Sequence, residues 1–136
     1  MSVKKNLDIA QQFLAKLGSG ASPEEIGQLF SADLDWNIPG DSGVLPWVGH
    51  RTGREAIVDF VRKSGQMIER IGLEIHDVVA SEERAIIFGE LASRIKGTGK
   101  VIETAYAIVL TISGDEITRF LMLEDSFATS KAARAD

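Results

Sequence analysis

Leu34-Asp35-Trp36-Asn37-Ile38-Pro39-Gly40, followed closely by Leu45-Pro46-Trp47-Val48-Gly49-His50, is the stretch on which the reading of this chain turns. Alternation puts Leu34, Trp36 and Ile38 on one face of a strand, with Asp35 and Asn37 on the other. Trp47 follows in a loop between Pro46 and Gly49, and His50 stands just before Thr52-Gly53-Arg54-Glu55, a helix-start pattern. Two indoles and a histidine close to a helix start predict the wall and mouth of an apolar pocket. Trp36 either lines that pocket or is plain core, its ring N–H bonded to a backbone carbonyl. Trp47 is either a lid over the cavity or a contact to a second copy of the chain.

Upstream, Leu7, Ala10, Leu14 and Leu17, with Phe13 widening the stripe, predict a helix over 6–17 that Gly18-Ser19-Gly20 ends. Ser22-Pro23-Glu24-Glu25 opens a short second helix, with Ser22 as N-cap and Pro23 at the first helical position. Downstream, Thr52 is expected to cap a third helix through Ala56, Ile57, Phe60 and Val61 to about Arg70. Strands are expected over 71–79, 84–96, 100–112 and 117–127, with tight turns at Gly97-Thr98-Gly99 and Ser113-Gly114-Asp115. Turns that short join antiparallel neighbours. The order predicts an α+β domain, helices packed on one face of an antiparallel sheet. One domain is expected over 1–136, its core about 6–129 and a loose tail over 130–136.

The chain is 44% hydrophobic and 26% charged, with a formal net charge of −5 and no cysteine. Scattered basic residues and an acidic balance argue against nucleic acid or anionic membrane as partner. The lack of cysteine removes disulfides, thiolate nucleophiles and cysteine-ligated metals. With His50 and His76 alone, a histidine-rich metal site is excluded, and no spacing asks for a metal or other cofactor. Neither a secretory leader nor a membrane span is read, so a cytoplasmic location is expected.

Phe30-Ser31-Ala32-Asp33 leading to Trp36-Asn37-Ile38-Pro39-Gly40, then Leu45-Pro46-Trp47-Val48-Gly49 and Arg51-Thr52-Gly53-Arg54-Glu55-Ala56-Ile57 before Phe60, resemble the SnoaL-like, polyketide-cyclase-like group of the NTF2-like, ketosteroid-isomerase-like superfamily. Ile117-Thr118-Arg119-Phe120 and Glu124-Asp125-Ser126 match its final strand. The resemblance implies a cone: three helices in the N-terminal half against a strongly curved antiparallel sheet, enclosing an apolar pocket. It also implies a homodimer paired through the sheet. Activities in the superfamily include isomerisation, cyclisation, epoxide hydrolysis and dehydration, beside binding without catalysis, so the fold leaves function open.

Several catalytic positions implied by that resemblance carry other residues here. Ile38 falls where ketosteroid isomerases place their general-base aspartate, and Phe13 near their oxyanion tyrosine. Met122 replaces the final-strand aspartate of epoxide-hydrolase-like members, whose Arg/Asp pair falls near Ala105 and Ala107. Tyr106, the single tyrosine, lies near an oxyanion position and is the expected hydrogen-bond donor to a developing oxyanion. The proton is expected to move through His50, since histidine is the side-chain type suited to proton transfer near neutral pH, or through a strand glutamate. Glu90, Glu103 and Glu124 compete for that role, with Glu103 carried forward beside Tyr106 and His50 as catalytic. His76 is read as solvated or interfacial. Phe13, Trp36, Ile38, Trp47, Phe60, Met122 and Glu124 are expected to touch the ligand. The expected function is proton transfer on a small apolar molecule bearing oxygen; a non-catalytic hydrophobic binder and a protein-assembly domain are the alternatives.

Overall fold

Helix α1 (Val3–Ser19) forms where the apolar stripe predicts it and stops at Gly20, whose backbone turns left-handed at φ 75°. Short α2 (Pro23–Gly27) starts as expected: the Ser22 hydroxyl accepts the Glu25 N–H at 3.1 Å, and Pro23 holds the first helical position. Next come β1 (Phe30–Ile38), β2 (Gly49–Thr52), α3 (Glu55–Met67), β3 (Ile68–Ala80), β4 (Arg84–Ile95), β5 (Val101–Ser113), β6 (Glu116–Glu124) and α4 (Ser126–Ala133). The structure is a computed structural model describing residues 2–134.

The strands form one sheet in the order β2-β1-β6-β5-β4-β3. From β4 to β6 it is the expected antiparallel meander, and β3 extends it by pairing antiparallel with β4. The expected cone is corrected on three counts. The sheet is open and not strongly curved: β2 and β3 are its two edges and do not pair with one another. It is also mixed, since β1 runs parallel to β6, with Trp36 opposite Phe120 and Asn37 opposite Leu121. A parallel neighbour needs a long connection, and everything from β2 to β5 lies between those two strands. Finally, the described residues form four helices. Asp125 caps α4 by accepting the Ala128 N–H at 3.0 Å, and burial of Thr129 and Ala132 holds it. Residues 130–133, expected in a loose tail, are therefore helical, while 135–136 lie outside the described residues.

Two boundaries move as well. Thr52 does not cap α3; it ends β2, opposite Asp35, and Arg54 takes the cap position without a side-chain bond. α3 stops at Met67, short of Arg70, because Ile68 turns extended and pairs with Ile95. Strand pairing there overrides a helical period already weakened by Gly65.

The core lies between the helices and one face of this sheet. Phe13, Phe30, Phe120 and Trp36 are all fully buried. The Trp36 indole stacks on Phe120 with centroids 4.3 Å apart and planes at 7°. Phe13 meets Phe30 edge-on at 5.6 Å. Burying four such rings supplies a large share of the hydrophobic driving force.

Candidate functional site

Beside these rings the core is hollow. A cavity of about 400 Å³ is walled by α1, α3 and the inward side chains of β1 and of β3 to β6. Phe13, Ile38, Trp47, Phe60, Met122 and Glu124, six of the residues expected to touch the ligand, line it, and Tyr106 joins them. Its size and mainly apolar wall suit a small organic ligand. The exposed lining residues Gly20, Gly65, Arg70 and Leu73 mark its open side.

Trp36 is not in the wall. Its Nε1–H donates to the Trp47 carbonyl at 3.0 Å, which is the plain-core alternative. Trp47 is neither a loose lid nor a surface contact. It is 8% exposed, lines the cavity and packs edge-on against Phe60 at 5.7 Å.

His50 and Glu103 lie elsewhere. The His50 ring, 62% exposed, shares Asp35 with Arg119 on the outer sheet face: Nε2 is 2.7 Å from Asp35 Oδ1, and Arg119 Nε is 3.2 Å from Oδ2. Glu103 points outward into a groove with Glu74 and Glu90. The carboxylates of Glu74 and Glu90 and the His76 imidazole have ligand atoms within 4.8 Å of one another, all exposed on that face. Those three groups can surround a cation; their side chains stand on the opposite face of the sheet, and none of them lines the cavity. Strand parity separates Glu103 from the site. Ile102, Tyr106, Ile108, Leu110 and Ile112 are buried along β5, so odd-numbered Glu103 faces away.

The same parity brings Glu124 in. It follows buried Phe120 and Met122 along β6 and stands directly opposite Tyr106 of β5. Opposed residues of an antiparallel pair share a face, so both side chains enter the hollow: the phenol leans across Gly89 toward β3, and the carboxyl stands on β6 against Thr129 of α4. Burial pushes the Glu124 carboxyl above its ordinary pKa; a hydrogen bond from the Thr129 hydroxyl at 3.3 Å opposes this, and the Asp125 charge adds to it. Burial also raises the Tyr106 phenol, with the nearby Arg70 charge opposing. The phenol thus remains a neutral donor near neutral pH, and its hydroxyl makes only a long contact, 3.5 Å, to the Glu74 carbonyl. Gly89 makes room for it: a Cβ there would lie 1.9 Å from the Glu74 carbonyl oxygen and 3.0 Å from the Tyr106 hydroxyl. A carboxyl with a raised pKa and a neutral phenol, both lining one apolar hollow, can exchange a proton with a ligand and hydrogen-bond its oxygen.

Among the described residues, no helix is long and apolar enough to cross a membrane. Comparison with curated protein sequences gives no match. Among solved structures, the chain is similar to an NTF2-like protein from Burkholderia xenovorans, with a TM-score of 0.87 and 26% identity over 98% of this chain and 99% of that one. It is similar in fold to an NTF2-like protein from Burkholderia thailandensis, at TM-score 0.81 and 17% identity over 98% and 99% of the two chains. A protein of ketosteroid isomerase-like fold from Catenulispora acidiphila, in complex with trimethylamine, matches at TM-score 0.67 and 24% identity over 84% of this chain and 82% of that one. A family model described as a SnoaL-like domain matches residues 10–120, most of the sequence, and the chain belongs to that family.

Proposed function

We propose that this SnoaL-like protein binds a small, largely apolar, oxygen-bearing molecule in the cavity and transfers a proton on it. Glu124 moves the proton and Tyr106 donates a hydrogen bond to the oxygen on which charge develops. The reading rests on one observation: the cross-strand pair Tyr106–Glu124 opens into an apolar cavity of about 400 Å³. A carboxyl whose pKa is raised by burial is held nearer to working pH, where it can act as acid or base. Isomerisation, cyclisation and dehydration all fit such a pair. The hollow also weighs against an assembly-only role, which calls for a filled interior. A sequestering protein needs the same cavity without turnover, and the two readings part at Glu124.

The outer sheet face supports a homodimer. Val79, Ile86, Val109 and Leu121 form one row across four strands, and Phe88, Ala107 and Leu123 form the next. Ile86, Phe88 and Leu123 are each more than a third exposed, and a second copy would cover them.

Native mass spectrometry of protein purified from its own host tests both parts. A retained small molecule, released on denaturation, gives the ligand mass. A dimer mass that Phe88→Asp converts to monomer supports pairing through this face. Empty protein that also fails to take up apolar ketones or alcohols would count against the cavity reading, and a wild-type monomer at micromolar concentration would remove the dimer.

A further inference from the structure

The cavity wall contains two charged side chains, Glu124 and Arg70. The sequence has eight arginines. Seven are in ion pairs: Arg51 with Asp59, Arg54 with Glu116, Arg62 with Glu24, Arg84 with Glu83, Arg94 with Glu69, Arg119 with Asp35 and Arg134 with Asp41. Arg70 alone has no carboxylate partner among the described residues, although the chain carries twenty acidic residues. Its place follows from the register. Arg70 pairs with Ser93, a buried inward residue of β4, just after Ile68 pairs with buried Ile95. Arg70 thus stands at the inward register of β3, on the exposed rim of the cavity.

We infer that the ligand carries an anionic group, such as a carboxylate, that Arg70 pairs with at the cavity mouth while its apolar body fills the hollow. This rests on the cavity reading above and narrows its substrate class. A guanidinium offers a planar fork of donors matched to a carboxylate. An arginine kept free of protein carboxylates retains all of those donors for a ligand. Its charge also reaches the Tyr106 phenol, which it draws toward the ionised form against the effect of burial. Arg70 and Tyr106 therefore act on the same part of the cavity, and both favour negative charge there. Glu124 favours the opposite sign, so the two charged wall residues make opposing predictions for the ligand.

Three naphthalene probes of equal bulk separate them: 2-naphthoate, 2-naphthalenemethanol and 2-naphthylmethylammonium, titrated into full-length protein by calorimetry at pH 7.5. The expected order is carboxylate first, alcohol next, ammonium last, with the carboxylate advantage shrinking as salt rises. Arg70→Met is expected to weaken 2-naphthoate about tenfold and leave the alcohol unchanged, the low end for a charged hydrogen bond because the rim is wet. Arg70→Lys should recover part of the loss. Because Arg70 is exposed, neither variant threatens the core, and unchanged alcohol binding certifies the fold. Equal affinities for the carboxylate and the alcohol, or tightest binding of the ammonium, would overturn the inference while leaving the cavity reading standing. Failure of all three probes to bind would sink both.

Discussion

The two faces of the sheet carry similar chemistry and use it differently. On the outer face, Asp35, His50 and Arg119 satisfy one another in water, and Glu74, His76 and Glu90 sit together, exposed. On the inner face, one carboxyl and one phenol stand among apolar walls. A carboxylate facing solvent keeps its charge at little cost, whereas one facing a hollow must find a partner or hold its proton. A single step along β6, from outward Leu123 to inward Glu124, separates these regimes. Which face a group occupies thus matters more to its chemistry than its residue type.

The sharpest way to break that contrast is a matched pair of substitutions. On a substrate identified from the retained ligand, Glu124→Gln is expected to lower kcat by about 10²- to 10⁴-fold, the range for losing a general acid or base. Glu103→Gln, on the other face, should leave kcat within about twofold. Equal effects of the two would end the assignment of proton transfer to the inner face.

Stability gives a second contrast. Trp36→Ala removes the indole stacked on Phe120 and is expected to cost about 3–5 kcal/mol in urea unfolding, the usual range for a large aromatic lost from a core. His50→Ala breaks only an exposed pair and should cost under about 1 kcal/mol. A Trp36→Ala loss as small as that of His50→Ala would mean the inner face is loosely packed.

The smallest expected effect is on pH dependence. The Glu124 carboxyl titrates higher folded than unfolded, so the folded state holds the extra proton between those two values. The stability Glu124 contributes is fully present below the unfolded pKa and is lost as pH rises through the folded one. Unfolding curves from pH 4 upward should therefore show a downward slope that Glu124→Gln removes. An identical slope in the variant would place the carboxyl in ordinary solvent.

Much of the fold was legible because it depends on local pattern. The Ser22-Pro23 start, the glycine stop after α1 and the tight turns of the meander are written in neighbouring residues. Six of the seven expected ligand contacts line the cavity, since large apolar side chains at inward parity have few other places to go. Trp36 is the exception, claimed by a partner eighty-four positions away, Phe120, through a parallel pairing that no local signal announces. His50 misled for a similar reason: its short edge strand exists only by pairing with β1. Glu103 could have been set aside from sequence, because Tyr106 and Ile108 fix the inward parity of β5. The same test on Phe120 and Met122 raises Glu124 from a contact to the leading acid–base candidate. Arg70 escaped notice because the helical period runs on past Met67, and only pairing with β4 shows where the strand begins.

The bond from the Trp36 indole to the Trp47 carbonyl has a consequence for traffic. It ties the Trp47 loop to a fully buried indole stacked on Phe120, so that end of the hollow serves as a floor and not as a swinging gate. Entry and exit then share the rim formed by Gly20, Gly65, Arg70 and Leu73. On the proposed reading, a molecule that enters past this rim also leaves past it, so Arg70 meets the ligand on both journeys.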